Sequence, residues 1–217
     1  MYLGVTMEIN KNIPGLASFN QALTFSKDEI KMFESIFNSD EFKKLNESKN
    51  IKNSLWNIFY NIDSIELIKK IQKTLLICLA EYSDYYKESI HSIQWQERID
   101  LKILYPGESE NIFNPSKSFN VKDDIPFTRQ IVAEIGIADA HHGGKSSWEY
   151  FDADQETLKS GEIRIYPASY LYSNSISTIM DGRKIYLRTF FNGGKDFISE
   201  DESFDGFENI YMFSYMR

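Results

Sequence analysis

Apolar residues recur at helical spacing from about residue 26 to 90, and at alternate positions from about 98 onward. Ser26 and Glu29 form a capping-box pattern ahead of Ile30, Phe33, Ile36 and Phe37, which predicts a helix start. Asp63 and Glu66 repeat the pattern, and Ile65, Ile68, Leu75, Leu76, Leu79 and Tyr82 then mark a helix over 63–88 of roughly six turns. Between them, "IKNSLWNIFY" at 51–60 reads as a shorter helix or turn. The second half breaks into short β-rich runs: "RIDLKILY", "RQIVAEIGI", "SWEYF", "EIRIYP", "SISTIM" and "KIYLRTFF". Clusters of Gly, Asp, Pro and Ser separate them, predicting antiparallel strands with turns near 141–146, 153–161 and 180–183. The tail, "SEDESFDGFENIYMFSYMR", is acidic and then aromatic, and suits a last strand or a segment on the sandwich edge. The pattern predicts a helical layer laid against a β-sandwich or jelly roll.

Composition narrows the partners. A chain of 217 residues can bury one sizeable core, and 42% hydrophobic and 15% aromatic content fits a globular protein. The net charge of −8 argues against nucleic acid or an anionic membrane, both of which select for basic patches. Cys78 is the single cysteine, so no internal disulfide or thiolate cluster can form. It falls inside the apolar helical stripe, as a core residue would. The opening "MYLGVTMEIN" lacks a basic region followed by an apolar one, and "TLLICLA" at 74–80 is too short to span a bilayer. A protein of the reducing cytoplasm is expected, with no membrane partner.

Motifs that carry chemistry are few. His141 and His142 stand in "DAHHGG", a composition that suits a polar hairpin tip. In a turn they could instead converge with Asp139 on a divalent metal, or serve as general acid or base. "GGK" at 143–145 and 193–195 lacks the spacing of a phosphate loop. No Gly-x-Ser-x-Gly elbow is present. Asp123 and Asp124 precede Pro126 in a solvated turn, and His91 sits near a helix end.

The order of these pieces resembles a known family. "YPG" at 105–107 ends one strand, "HHGGKSSWEYFDAD" looks like a hairpin with an outer strand, and "LKSGEIRIYPASY" and "DGRKIYLRTFF" follow. The succession is similar to the Fe(II)/2-oxoglutarate oxygenases of the prolyl-hydroxylase-like group, and "LTFSKDEI" looks like their leading loop and helix. The resemblance covers roughly residues 20 to 191 and is specific in spacing from 143 to 191. It implies a fold of α+β class: a double-stranded β-helix with an N-terminal helical layer packed on the larger sheet. A single domain, 1–217, would divide into a helical layer at about 20–97, the β-helix at about 98–192 and an extension at 193–217.

The resemblance also implies a departure. Iron in this family sits on two histidines and a carboxylate. By position, the second histidine falls on Asn174, and the His-x-Asp pair on Asn114 and Ser116 in "FNPSKSF". No histidine occurs between 91 and 141 or after 142, so no shift of register restores the triad. No metal is expected, and the standard Fe(II) triad is not present. The family's acid-binding cation matches Lys184, with Arg183 alternating to the opposite face, and Tyr105 occupies the other acid-binding position. The hairpin carrying His141 and His142 would lie where substrates enter. The cofactor is left open between 2-oxoglutarate and another organic acid. The functional expectation is a non-standard enzyme acting on a small carboxylate or peptide in the jelly-roll cleft. The alternative is a non-catalytic pseudoenzyme that binds a ligand or protein partner, and a homo-oligomer stays open.

Overall fold

The structure, a computed structural model, describes residues 6–40, 65–87, 93, 95–97, 99–112, 128–193 and 207–209. Helix α1 (Lys27–Asn38) starts where its capping box dictates: the Glu29 N–H donates to the Ser26 hydroxyl, and the Ser26 N–H donates to the Glu29 carboxylate. It buries Phe33 and Ile36. Helix α2 (Ile65–Tyr85) places Ile68, Ile71, Leu75, Leu79 and Tyr82 at intervals of three and four, and all five are buried.

The strands are β1 (Met7–Ile9), β2 (Ala17–Phe19), β3 (Trp95–Glu97), β4 (Asp100–Leu104), β5 (Glu110–Ile112), β6 (Thr128–Ala138) and β7 (His142–Gly143). They continue with β8 (Ser146–Trp148), β9 (Ala153–Gln155), β10 (Ile163–Pro167), β11 (Asn174–Ile176), β12 (Ile179–Asp181), β13 (Lys184–Gly193) and β14 (Phe207–Asn209). The large sheet runs β1-β2-β10-β6-β13-β3-β14, with β4 also paired to β13. A four-stranded sheet, β5-β11-β8-β9, and the pair β12–β7 complete the sheets, and every pairing is antiparallel. Two packed antiparallel sheets of this kind are a jelly-roll architecture.

The two faces of the large sheet differ in chemistry. Ile131, Ala133 and Ile135 of β6 and Ile163 and Ile165 of β10 share one apolar cluster with Phe33 of α1 and Ile71 and Leu75 of α2. The opposite face supplies Val132, Tyr166 and Phe190 to a cluster with Trp148 of the small sheet, while Tyr186 packs with Ile112 and Ile176. The buried charged side chains Glu134, Arg164, Lys184 and Arg188 lie on this second, inward face.

Three expectations need correction. "SWEYF" is not one strand: β8 stops at Trp148, residues Glu149–Phe151 form a 3-10 turn, and β9 occupies part of the expected 153–161 turn. Asp152 takes a left-handed φ of 47°, which a short polar side chain tolerates better than most. "SISTIM" is split between the four-stranded sheet and the β12–β7 pair. The hairpin β1–β2 extends the large sheet, although two three-residue strands carry too little alternation to be read. The 51–60 segment, His91, Asn114, Ser116, Asp123 and Asp124 lie outside the described residues.

Candidate functional site

Alternation along β13 sends Lys184, Tyr186 and Arg188 to the inward face. The register sets Arg188 opposite Glu134 of β6, and Glu134 opposite Arg164 of β10. A row of alternating charge, Arg188–Glu134–Arg164, therefore crosses three neighbouring strands, and all three residues are buried. Such charges persist in a core only when paired and hydrogen-bonded.

Arg188 meets that condition. Its Nε and Nη2 donate to Glu134 Oε1 at 3.0 and 2.9 Å, and its Nη1 and Nη2 donate to the Glu110 carboxylate at 3.3 and 3.4 Å. Nη2 also donates to the Tyr186 hydroxyl at 3.0 Å, and that hydroxyl donates to Glu110. Burial opposes the guanidinium charge, but Glu134 and Glu110 outweigh it and hold the pKa above the ordinary arginine value. The interior thus carries a cation built from the chain itself.

Asn174 opens β11 on the small sheet, and among the described residues neither atom of its buried amide has a hydrogen-bond partner. Its neighbour is the buried Tyr166 hydroxyl, whose contacts with Asn174 and Glu134 fall short of full hydrogen-bond geometry. Burial raises the Tyr166 pKa well above the usual phenol range, and Glu134 adds to the effect.

Lys184 points inward and is 1% exposed. Among the described residues its ammonium makes one hydrogen bond, to the Gly144 carbonyl at 3.0 Å, and it lies 5.6 Å from the centre of the Tyr186 ring. Burial pushes its pKa down to about 8, an effect that Glu134 partly offsets. Arg183, on the other face, pairs with Glu34 of α1. Tyr105 lies one residue beyond Leu104, the partner of Lys184 in the ladder. It is 37% exposed, and its hydroxyl bonds to no described residue. The structure thus does not bring Tyr105 and Lys184 into one hydrogen-bonded group.

His141 is exposed at the hairpin turn, so close to Gly182 that a Cβ there would meet its Cδ2 at 2.9 Å. His142 is also exposed and stands opposite Asp181, while Asp139 accepts a hydrogen bond from the Ser160 N–H at 3.3 Å. Among the described residues no group of three or more His, Cys, Asp and Glu side chains could hold a metal ion. Ferrous iron does not fit the residues present. Asn174 offers a neutral amide where ferrous iron prefers imidazole, and the Glu134 carboxylate is already committed to Arg188.

Glu134, Tyr166, Arg164 and Arg188 escape a motif search, yet the sequence carries a signal for the charged three. Each is a lone charge among apolar neighbours in "VAEIG", "IRI" or "YLRTF". A charge at a position that alternation buries requires a partner: Arg188 and Glu134 supply each other's across two strands, and Arg164 pairs with Glu162, two residues away.

No family model matches the chain, and no curated protein matches it either. Solved structures do. The viral collagen prolyl hydroxylase of Paramecium bursaria Chlorella virus 1 is 13% identical with a TM-score of 0.53, over 89% of this chain and 98% of that one. The non-heme α-ketoglutarate-dependent carbocyclase of nogalamycin biosynthesis is 10% identical with a TM-score of 0.49, over 95% and 99%. A Pseudomonas putida prolyl 4-hydroxylase is 9% identical with a TM-score of 0.46, over 87% and 98%. On the strength of the first likeness, and of its own two antiparallel sheets, the chain has an Fe(II)/2-oxoglutarate oxygenase-like fold.

Proposed function

We propose that this protein is a non-catalytic binder of a small organic acid, built on an oxygenase-like jelly roll whose metal site has been lost. One observation carries the reading: Lys184 is a buried cation with one described hydrogen bond out of the three its ammonium can donate. A carboxylate placed there would complete those bonds, each charge-assisted and strengthened by exclusion from water. The Gly144 carbonyl holds Nζ from one side, and the Tyr186 ring backs it. Arg188 is saturated by Glu134, Glu110 and Tyr186 and needs no external ion.

Asn114 and Ser116 belong to this reading as residues at the mouth of the barrel, together with Asn174, and the two helices form the outer layer of the large sheet. His141 and His142 border the entrance. An acid-binding cation serves affinity and does not depend on the redox chemistry that iron supplies.

The test is calorimetric titration with 2-oxoglutarate and other dicarboxylates, with and without ferrous salt, beside an assay for oxygen-dependent decarboxylation. Binding that ignores iron, with no turnover, is expected. Lys184→Met should weaken that binding by about ten- to a hundredfold, corresponding to roughly 1.5–3 kcal/mol for a charge-assisted hydrogen bond. Iron-stimulated turnover would instead establish the enzymatic reading, and equal affinity of wild type and variant would remove Lys184 from the site.

A further inference from the structure

Aromatic rings reach the surface together where the C-terminal end of α2 meets the 149–151 turn. Tyr85 is 61% exposed and Tyr150 67%. Exposed tyrosines that occur singly need no explanation, but each of these rests on a second ring. The ring centres of Tyr85 and Tyr86 are 4.8 Å apart, those of Tyr150 and Phe151 5.2 Å, and those of Phe151 and Tyr172 5.1 Å. The 13–16 turn joins the two groups. Tyr82 and Tyr172 donate to the Gly15 and Pro14 carbonyls, and the Tyr86 hydroxyl stands against the Gly15 backbone. Burial raises the Tyr172 pKa, and the nearby Tyr86 adds to the rise. Tyr86 and Phe151 are half-buried and Pro14 is exposed, so an apolar surface continues from Tyr85 to Tyr150. Its rings are fixed from below, which lowers the cost of ordering them around a partner.

Charge sets the partner's chemistry. Glu81 lies one helical turn before Tyr85 on the same face of α2, and Asp84 adjoins it. Glu149 and Asp152 bracket Tyr150 and Phe151. All four carboxylates are exposed, and none makes an ion pair among the described residues. Against them stands Lys87, beside Tyr86, so the surface is acidic. An anionic partner is repelled there. A cation is drawn both by the carboxylates and by the negative faces of the rings. Guanidinium satisfies the two together, because its plane stacks on a tyrosine while its edge pairs with a carboxylate. We infer that this surface docks an arginine-bearing segment of a protein partner. Its guanidinium groups stack on Tyr85 and Tyr150 and pair with the carboxylates that flank them.

The surface does not depend on Lys184, and Lys184→Met should leave its binding unchanged. A fluorescein-labelled peptide of alternating Arg and Gly is titrated into the full chain at physiological salt and followed by anisotropy. The same peptide with Lys in place of Arg is the equally charged comparison. The Arg peptide should bind, and the Lys peptide about threefold more weakly or worse. Tyr85→Leu and Tyr150→Leu keep apolar bulk at exposed positions, and each should weaken the Arg peptide by about two- to fivefold. Glu149→Gln should weaken it by about twofold or more. Glu66→Gln removes the same charge at the far end of α2, beyond the screening length, and should have no effect. Amide NMR shifts on binding should fall at 15–16, 81–87 and 149–152. No binding of the Arg peptide, equal binding of the Lys peptide, affinity unmoved by both tyrosine variants, or a loss in Glu66→Gln as large as in Glu149→Gln would each overturn the assignment.

Discussion

Replacing Arg188 with Met isolates the interior ion network. The side chain keeps most of its length but loses the five hydrogen bonds that join Glu134, Glu110 and Tyr186. The two carboxylates respond differently. Glu134 has a side chain only 3% exposed and would be left as an uncompensated buried charge. Glu110 is 20% exposed and retains Tyr186 and, at 3.9 Å, Lys102, so its share is small. Breaking a buried pair from one side costs about 3–5 kcal/mol, a large part of a typical folding stability of about 5–15 kcal/mol. For a domain of this size the melting temperature should drop by about 6–20 °C. The double variant Arg188→Met/Glu134→Leu buries no orphaned charge and should recover to within about 1–2 kcal/mol of wild type. Urea unfolding followed by far-UV circular dichroism measures both, and an unchanged m-value verifies that the same surface is exposed. A cost below about 1 kcal/mol for the single variant, or a double variant no more stable than the single, would refute the claim that Arg188 is the core's own counter-ion.

Lys184 makes a prediction about pH. Its folded pKa of about 8 lies below the ordinary 10.5, so between these values the unfolded chain binds more protons and this residue makes stability rise with pH. Lys184→Met should lose that increment, read as the difference in urea midpoint between about pH 7 and pH 10. Organic-acid binding at Lys184 should weaken across the same window as the ammonium deprotonates. Cys78 is 1% exposed and burial pushes its thiol up to about 12, so a thiol reagent should label it only after unfolding. Gly136→Ala would set a Cβ 2.0 Å from the Lys159 carbonyl oxygen and should cost more than about 2 kcal/mol in a thermal melt. Gly107→Ala meets no atom within 4 Å and should cost only what its φ of +91° imposes, about 1–2 kcal/mol.

The sequence disclosed what local chemistry controls. The Ser26–Glu29 box and the run from Ile65 to Tyr82 are helices because capping and 3.6-residue spacing are properties of neighbours in the chain. The strands β6, β10 and β13 were legible for the same reason. The inward aim of Lys184 was legible too, since alternation follows from a strand alone. Concealed were the features decided by distant partners. The hairpin β1–β2 is a pair of strands only because β10 offers it an edge. The break falls at Trp148, whose ring is buried beside Tyr166 at a ring separation of 5.9 Å. The charge row of Arg188, Glu134 and Arg164 needed the register of three strands, although each lone charge already marked a position that had to be paired.

That hairpin has a consequence for how the chain acquires its structure. Phe19 pairs with Ile163, so β1 and β2 wait for residues made much later in synthesis. At about 5–20 residues per second, roughly 7–30 seconds separate the two on a ribosome. During that interval Ala17 and Phe19, which become fully buried, have no sheet to join. The large sheet is assembled from pairings of long sequence separation, a topology that folds slowly because chain closure precedes any compensating contact. Tyr82 of α2 and Tyr172 shorten the search: their hydroxyls grip the carbonyls of Gly15 and Pro14, next to the hairpin. The turn at 13–16 is therefore a late clasp, closed by residues from two distant parts of the chain.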